Sequence, residues 1–297
     1  MHDDYFLQQA TELRYFVYFI KYRSGIEKWY RSQEIRFQHT RKEETPMAHL
    51  FVTMNAFQDT AILSYPVLFA AIRKAGCDGV EIRRELLEDP ASLLPAVKGM
   101  LDKAGLIPYY SCPVSLFGED HQVIDVAPYR QEAVELGAKL IKFSLGNYRE
   151  GLSDMDTLAK AAACFSDAGI LVTIENDQTA LGGKTERLAP FFAACRSKAI
   201  PIRFTCDIGN WAYTGEDAEE AATALKNEVV YIHVKEVVET ASGYATIPIG
   251  QNGRQKWKRL LRLLLKDAAI ALEFPIISDL KDYIELLKEE VFANESV

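Results

Sequence analysis

The sequence predicts an α/β fold, a (β/α)8 TIM barrel that follows an N-terminal appendage. Short strand-like apolar runs alternate with helical patterns from about Met47 onwards, and several of these helices stop at a glycine before the next strand. Eight strand–helix units over residues 47–292 fit the roughly 250 residues of such a barrel. A doubly wound open sheet is the alternative, but no Gly-x-Gly-x-x-Gly follows any strand. The strand-like runs begin near His49, Gly79, Leu106, Lys139, Ile170, Ile202, Val229 and Ala268.

Glycines mark the ends of several predicted helices. Glycine tolerates the left-handed backbone conformation that closes many helices, so these positions are good C-terminal caps. Their spacing of roughly thirty residues matches the size of one strand–helix unit. The capping glycines are Gly76, Gly105, Gly137 and Gly169.

Residues 1–46 differ in composition from the rest of the chain. They hold 10 of the 32 aromatic residues, and their 8 Lys and Arg nearly balance 7 Asp and Glu. Tyr15–Ile20 is apolar but too short for the core of a signal peptide, and no small-residue cleavage site follows it. We therefore expect residues 1–46 to be a poorly ordered or helical extension, or an over-long start assignment, and residues 47–297 to be the catalytic barrel. A helical extension that packs as a genuine part of the protein is the alternative.

A chain that begins at Met47 is accordingly expected to fold and to keep the activity, because residues 1–46 contribute no strand to the predicted barrel. Circular dichroism and an activity assay on the shortened and full-length proteins check this. An insoluble or inactive shortened protein would show that the segment packs against the barrel or a partner subunit.

Composition and charge point to an ordinary soluble globular protein. Of the 297 residues, 48% are hydrophobic and 26% are charged, and no apolar run reaches the roughly 18 residues that a membrane span needs. The net charge of −8 disfavours general affinity for nucleic acid or acidic membranes. Five scattered cysteines without a Cys-x-x-Cys indicate reduced thiols and a cytoplasmic location.

Four consecutive predicted strands each finish on a side chain that can bind a metal. The runs Leu171–Asn176, Ile202–Asp207, Val229–Val237 and Ala268–Phe274 carry, in that order, Glu175, Asp207, His233 and Glu273. In a TIM barrel the active site lies at the carboxyl ends of the strands, so these four side chains are expected to converge. Taken singly, each acid is more often a loop cap or an ion-pair partner, and a lone strand histidine is more often a core residue. Four in consecutive units favour a site.

The donor set favours a hard divalent ion. Three carboxylates and one imidazole suit Mn²⁺, Co²⁺ or Mg²⁺ better than a thiolate-type zinc site, with Zn²⁺ as an alternative.

Other polar residues near the strand ends are candidates for substrate binding. Lys235 shares the face of His233, and alternation along the fourth strand places Lys142 on the face directed into the barrel. Each lysine can therefore bind an oxyanion of the substrate or instead pair with an acid at a strand end. Glu81 can bind substrate hydroxyls or pair with Arg83. Trp211 can wall the pocket or simply pack in the core.

Five segments resemble the xylose-isomerase-like sugar (phosphate) isomerase and epimerase barrels over about residues 47–292. They are Val172–Asp177, Thr205–Trp211, Tyr231–Glu236, Ile247–Gly253 and Leu272–Phe274. The resemblance implies one divalent ion held by Glu175, Asp207, His233 and Glu273. It also implies that both glutamates act as acid and base, as in the ketose 3-epimerases of this family.

The chain departs from the family pattern at positions that concern the substrate. Asn210 stands where a histidine often follows the metal-binding aspartate, and we take Asn210 as a substrate-binding candidate. Glu236 replaces the aspartate common after His-x-Lys, and Gly250–Gly253 replaces a Gly-Glu-Gly loop. The metal-binding residues are therefore better supported than any sugar specificity.

The chemistry expected of this set is proton abstraction next to a ketone, which leaves an enediolate whose charge a bound cation stabilises. If glutamates serve both faces of the intermediate, a stereocentre inverts and the enzyme is an epimerase acting on a ketose or keto-sugar acid. If the proton moves between adjacent carbons, the enzyme is an aldose–ketose isomerase. The sequence leaves open the choice between epimerase and isomerase. It also leaves open whether the protein forms a homo-oligomer.

Two other classes are alternatives. A sugar-binding barrel without catalysis would bind the same ligands without proton exchange. The abasic-site endonucleases of the family use three zinc ions and many histidines, whereas only His121 and His233 lie beyond the start of the first predicted strand.

Overall fold

The computed structural model describes residues 48–58, 64–251, 255–265 and 267–295. Eight parallel strands close into a barrel, in the spatial order β1-β10-β7-β6-β5-β4-β3-β2. The barrel strands are β1 (Leu50–Thr53), β2 (Gly79–Arg83), β3 (Ile107–Phe117), β4 (Leu140–Gly146), β5 (Leu171–Glu175), β6 (Ile202–Asp207), β7 (Val229–Val234) and β10 (Ala269–Leu272). The predicted TIM barrel is confirmed, and each strand begins within one residue of its predicted start.

Helices follow the strands in sequence and cover the outside of the barrel. They are α1 (Tyr65–Ala75), α2 (Pro90–Ala104), α3 (Ala127–Leu136), α4 (Met155–Ser166), α5 (Thr185–Ser197), α6 (Trp211–Thr214), α7 (Ala218–Leu225), α8 (Lys256–Leu264) and α9 (Leu280–Glu295). The main hydrophobic core lies between these helices and the sheet. In α8, for example, the buried residues Trp257, Leu260, Leu261 and Leu264 follow helical spacing.

Glycine ends three of these helices as the sequence predicts. Gly76 caps α1 with a φ of 98°, and Gly105 caps α2 with a φ of 68°. An L-residue rarely adopts such angles, so glycine at these positions stops the helix and releases the chain into the next strand. Gly137 does the same after α3, whereas Gly169 lies three residues beyond the end of α4.

A two-stranded antiparallel hairpin is inserted between β7 and α8, and the sequence rhythm did not predict it. Its strands are β8 (Glu236–Thr240) and β9 (Gly243–Ile247). The ring of Tyr244 on β9 lies 5.4 Å from the ring of Tyr213 on α6, which places the hairpin beside the carboxyl ends of β6 and β7.

Aromatic rings fill the barrel axis in the layer below His233. The rings of Phe51 and Tyr109 stack with centroids 4.1 Å apart, and Tyr231 meets both edge-on, at 5.9 Å and 4.9 Å. The imidazole of His233 lies above Tyr231, with a ring-centroid distance of 4.7 Å. The interior is therefore packed with apolar groups up to the level of His233 and becomes polar above it.

Residues 1–47 lie outside the described residues, so the division of the chain at residues 46 and 47 stays a prediction. Ala48–Val297 forms one compact unit. No helix in the described ranges has both the length and the apolar character to cross a membrane.

Candidate active site

The carboxyl ends of four neighbouring strands bring the predicted metal-binding side chains together. Glu175 ends β5, Asp207 ends β6, His233 lies near the end of β7, and Glu273 directly follows β10. One ligand atom from each of the four lies within 4.8 Å of the others. In the barrel register Asp207 pairs with His233, and the opposite neighbour of His233 is the small residue Ala271. Small interior side chains leave room for this convergence.

The imidazole of His233 has its two nitrogens in different surroundings. Its Nδ1 atom lies 3.0 Å from Oε1 of Glu175, 3.2 Å from Oε2 of Glu273 and 3.9 Å from Oδ2 of Asp207. Its Nε2 atom lies 2.9 Å from Oε2 of Glu81, on the opposite side of the ring. A proton on Nε2 donated to Glu81 leaves the lone pair of Nδ1 directed at the three carboxylates. Carboxylates that hold a ligating histidine in this way are common behind metal ions.

Two of the converging atoms are buried without a hydrogen bond among the described residues: Nδ1 of His233 and Oδ2 of Asp207. The other oxygen of Asp207 accepts hydrogen bonds from the backbone N–H groups of Gly209 and Asn210, at 2.9 Å and 3.0 Å. Buried polar groups normally make hydrogen bonds, so two buried atoms that have charged neighbours but no hydrogen bond, and that face one point, suit a ligand bound there. Three carboxylate oxygens and one imidazole nitrogen fit a divalent cation of the Mn²⁺, Co²⁺ or Mg²⁺ type.

Asn176 fixes the position of Asp207. Its side-chain amide donates to the backbone carbonyl of Asp207, and its carbonyl oxygen accepts from the backbone N–H of Asp207, both at 2.8 Å. Asn176 is fully buried, so this paired contact locks the end of β6 against the end of β5. The sequence pattern alone does not indicate this role.

Two buried lysines and the partly buried Arg83 neutralise the acids. Lys142 donates to Oε2 of Glu175 at 2.7 Å. Lys235 lies 2.5 Å from Oδ2 of Asp207 and donates to Oε2 of Glu273 at 3.0 Å. Arg83 donates to Oε1 of Glu273 at 2.9 Å and lies 3.3 Å from Glu81.

The close packing of charges shifts the pKa values in opposite directions. Burial would lower the pKa of His233, but the charges of Glu273 and Glu81 outweigh it and raise this pKa well above its usual value. Burial raises the pKa of Asp207 to about 7, because the nearby carboxylates add to its effect and Lys235 only partly opposes them. For Glu175 the effect of burial is overcome by Lys142 and His233, and its pKa falls below the usual range. Lys235 and His233 likewise lower the pKa of Glu273.

A cavity of about 460 Å³ opens above the four converging side chains. Five of the residues proposed from the sequence line it: Glu175, Glu273, Lys142, Lys235 and Asn210. Its wall also holds groups that donate and accept hydrogen bonds without carrying a charge: Asn55, Gln58, Ser111, Ser144, Gln178 and Thr246.

Two of the substrate-binding candidates from the sequence do not line this cavity. Glu81 is fully buried behind His233, where it meets Lys142 and Arg83 as well. Trp211 is also fully buried, with its ring 6.3 Å from that of Phe204. These positions favour a supporting role for Glu81 and a packing role for Trp211.

Arg83 lines the cavity, although the sequence suggested it only as a partner of Glu81. Alternation along β2 could have identified it, because Arg83 shares the inward face of Glu81 two residues earlier. Asn55 was not anticipated, because it lies in a short helical turn after β1 (Met54–Phe57) whose direction the sequence pattern does not define.

Glu81→Gln is expected to weaken Mn²⁺ binding by about 10–100-fold, the usual cost of changing a group that orients a metal ligand. The amide keeps the size of the side chain but removes the charge that fixes the proton on Nε2 of His233. Calorimetric titration with Mn²⁺ measures the change. Glu132→Gln is the matched control, since Glu132 is a buried acid outside the site that pairs with Arg84 and Tyr110. Equal affinities in the two variants would remove Glu81 from the metal centre.

Comparison with known proteins relates the chain to one fold family. The sequence model of the family described as Xylose isomerase-like TIM barrel matches residues 69–290. A sequence search among curated proteins finds no relative.

Solved structures of the same shape share little sequence with the chain. L-ribulose 3-epimerase has a TM-score of 0.62 at 15% identity, covering 84% of this chain and 96% of its own. The probable 3-DHS dehydratase AsbF from Bacillus anthracis has a TM-score of 0.61 at 12% sequence identity, and the match covers 82% of this chain and 99% of AsbF. A xylose isomerase-like TIM barrel protein from Mycobacterium smegmatis was solved in complex with magnesium. It has a TM-score of 0.59 at 13% sequence identity, and the match covers 84% of this chain and 97% of that protein.

Proposed function

Because the chain belongs to the xylose isomerase-like TIM barrel family, we propose that it is a divalent-metal-dependent sugar epimerase. Its substrate would be a ketose or a keto-sugar acid that loses a proton next to the carbonyl group. One observation carries this proposal: three carboxylates and an imidazole converge within 4.8 Å, and two of those carboxylates also line the cavity. The L-ribulose 3-epimerase of the same fold supports it by its name.

Glu175, Asp207, His233 and Glu273 would hold the ion. When bound, it would supply Lewis acidity to the ketone oxygen, so that the charge of an enediolate is stabilised. Mn²⁺, Co²⁺ or Mg²⁺ is the preferred ion from the donor set, with Zn²⁺ as the alternative. The magnesium complex of the Mycobacterium smegmatis protein of the same fold agrees with this preference.

Glu175 and Glu273 are the proposed proton-transfer residues. They follow β5 and β10, which stand three strands apart around the barrel, so a planar intermediate between them would present one face to each. In the metal-free protein the cations Lys142 and Lys235 lie beside them and keep both carboxylates ionised, which is the state that a metal ligand or a base requires. Removal of the proton by one glutamate and its return by the other inverts the stereocentre.

The cavity suits a polyhydroxylated ligand. Its volume of about 460 Å³ lies within the range of small-molecule sites, and its wall combines amides and hydroxyls with the charged groups. Asn210 is held by a hydrogen bond from its side chain to the carbonyl of Asn176, and it contacts Gln178, so both amides can be oriented toward substrate hydroxyls.

An aldose–ketose isomerase of the same family is the main alternative, because both reactions begin with the same proton abstraction. A dehydratase is a further candidate on the evidence of AsbF, since loss of a hydroxyl group can follow that step. A non-catalytic sugar-binding barrel and an abasic-site endonuclease are less favoured: the cluster contains a single histidine, and its glutamates line a cavity.

Exchange of substrate protons with heavy water tests the proposal. The protein is saturated with Mn²⁺ and incubated with a panel of ketoses and keto-sugar acids in D₂O, and NMR follows deuterium at the carbon next to the carbonyl. We expect exchange together with an inverted product, and its loss after the metal is removed by a chelator. An aldose product would identify an isomerase, and a dehydrated product a dehydratase. Binding without any exchange would contradict catalysis.

A further inference from the structure

We infer that Lys235 is an exchangeable counter-cation of the metal centre. In the protein without the ion, its ammonium group neutralises Asp207 and Glu273. When a divalent cation binds, the ammonium group leaves these oxygens and turns toward the cavity.

Lys235 contacts the same oxygens that an ion would use. Its Nζ atom lies 2.5 Å from Oδ2 of Asp207 and 3.0 Å from Oε2 of Glu273. These are also the atoms of the two acids that face Nδ1 of His233, at 3.9 Å and 3.2 Å. The contact between Lys235 and Asp207 lacks hydrogen-bond geometry. The ammonium group therefore neutralises the charge on Oδ2 of Asp207, but this oxygen can still accept a bond from another ligand.

The side chain of Lys235 is guided to this position by a close backbone approach. A Cβ atom at Gly209 would lie 2.7 Å from Cγ and 3.0 Å from Cε of Lys235, so only glycine admits the lysine stem here. The side chain is 6% exposed, and Lys235 is one of the residues that line the cavity. The cavity therefore provides the space into which the ammonium group can turn.

Lys142 provides the contrast. It is equally buried and also pairs with an acid of the cluster, but it contacts Oε2 of Glu175 rather than the Oε1 atom that faces His233. Its second partner is Glu81, behind the histidine. Lys142 therefore holds the outer side of the cluster, and an ion can bind without displacing it.

The charge of the buried cluster gives the exchange its driving force. Four carboxylates (Glu81, Glu175, Asp207 and Glu273) face three permanent cations (Arg83, Lys142 and Lys235) in a region largely closed to water, and the raised pKa of His233 makes it a fourth positive charge in the metal-free protein. A divalent ion at Asp207 and Glu273 adds two positive charges beside Lys235, and like charges this close repel strongly in a buried site. The displaced ammonium group can then bind the anionic oxygen of a substrate. This consequence rests on the proposed catalysis, whereas the exchange itself rests only on the proposed metal binding.

Mn²⁺ affinity in two matched variants tests the exchange. Lys235→Met and Lys142→Met each remove one buried ammonium group from the cluster, so both lower the general repulsion of a cation to a similar extent. Only Lys235→Met also removes a competitor for the ligand oxygens. Calorimetric titration is expected to show Mn²⁺ binding to Lys235→Met at least about tenfold tighter than to Lys142→Met. Equal or weaker binding by Lys235→Met would mean that Lys235 orients the ligands, and would overturn the inference.

Crystal structures of the wild-type protein with and without Mn²⁺ provide a test that does not depend on the variants folding. We expect Nζ of Lys235 to lie against Asp207 and Glu273 without Mn²⁺ and to leave both oxygens with it. An unmoved ammonium group beside a bound ion contradicts the exchange, and so does failure of Mn²⁺ to bind to both the wild type and Lys235→Met. Because neither test uses turnover, absence of deuterium exchange would count against the proposed function alone.

Discussion

Alanine in place of His233 is expected to lower the affinity for Mn²⁺ by at least about 100-fold, more than the usual cost of changing a group behind a ligand. The wild-type protein should retain about one divalent ion per chain after saturation, as a single cluster of four donors implies. Alanine offers no atom to replace Nδ1, the nitrogen that faces all three carboxylates. Metal analysis and calorimetric titration measure both quantities.

His49→Ala is the matched control, because His49 precedes β1 and its side chain is largely exposed. Its Mn²⁺ affinity should equal that of the wild type. Circular dichroism separates lost affinity from lost folding, and His233→Gln gives a second variant with a polar side chain in the buried position. Undiminished Mn²⁺ binding by folded His233→Ala, or three tightly held zinc ions in the wild type, would refute the proposed centre.

Glu175→Gln and Glu273→Gln are each expected to reduce epimerisation by about 10²–10⁴-fold even at saturating Mn²⁺, the typical cost of losing a positioned acid or base. Glutamine keeps an oxygen for the ion but has no useful basicity. If the two residues were ligands only, excess metal would restore most of the rate. Product formation and deuterium incorporation, measured together, also assign a face to each residue, because one variant can still exchange a proton in one epimer.

Glu81→Gln serves as the comparison for these variants. Glu81 contacts Nε2 of His233 and does not line the cavity, so excess Mn²⁺ should recover its rate. If excess Mn²⁺ restores the rate of Glu81→Gln but not that of Glu175→Gln or Glu273→Gln, Glu81 supports a metal ligand and the other two residues transfer protons. A Gln variant at residue 175 or 273 that turns over near the wild-type rate with saturating metal would exclude that residue from the chemistry.

The fold could be predicted because its sequence signals are local. Apolar runs, helical patterns and capping glycines recur in each strand–helix unit, and the starts of all eight barrel strands follow from them. The convergence of Glu175, Asp207, His233 and Glu273 could be anticipated for the same reason. Once the strands are parallel and closed, residues at their carboxyl ends have to meet.

Contacts between distant segments could not be predicted in this way. The pairing of Asn176 with the backbone of Asp207, and the position of Glu81 behind His233, depend on side-chain directions that only the closed barrel defines. Periodicity also does not show whether an aromatic residue that follows a strand lines a cavity or packs in the core. Trp211, which follows β6, packs against Phe204. The β8–β9 hairpin was missed because a short polar insertion between two barrel units does not interrupt the rhythm.

The aromatic layer of Phe51, Tyr109 and Tyr231 has a consequence for the order of events. Because these rings fill the barrel axis below His233, the proposed ion and sugar would both have to enter through the opening above the strand ends. Asp207 and His233 do not line the cavity, so an ion held there would lie deeper than the sugar, bind before it and leave after it. A bound sugar would then block the exit of the metal ion. The ion should therefore dissociate more slowly from the protein with substrate bound than from the protein without it.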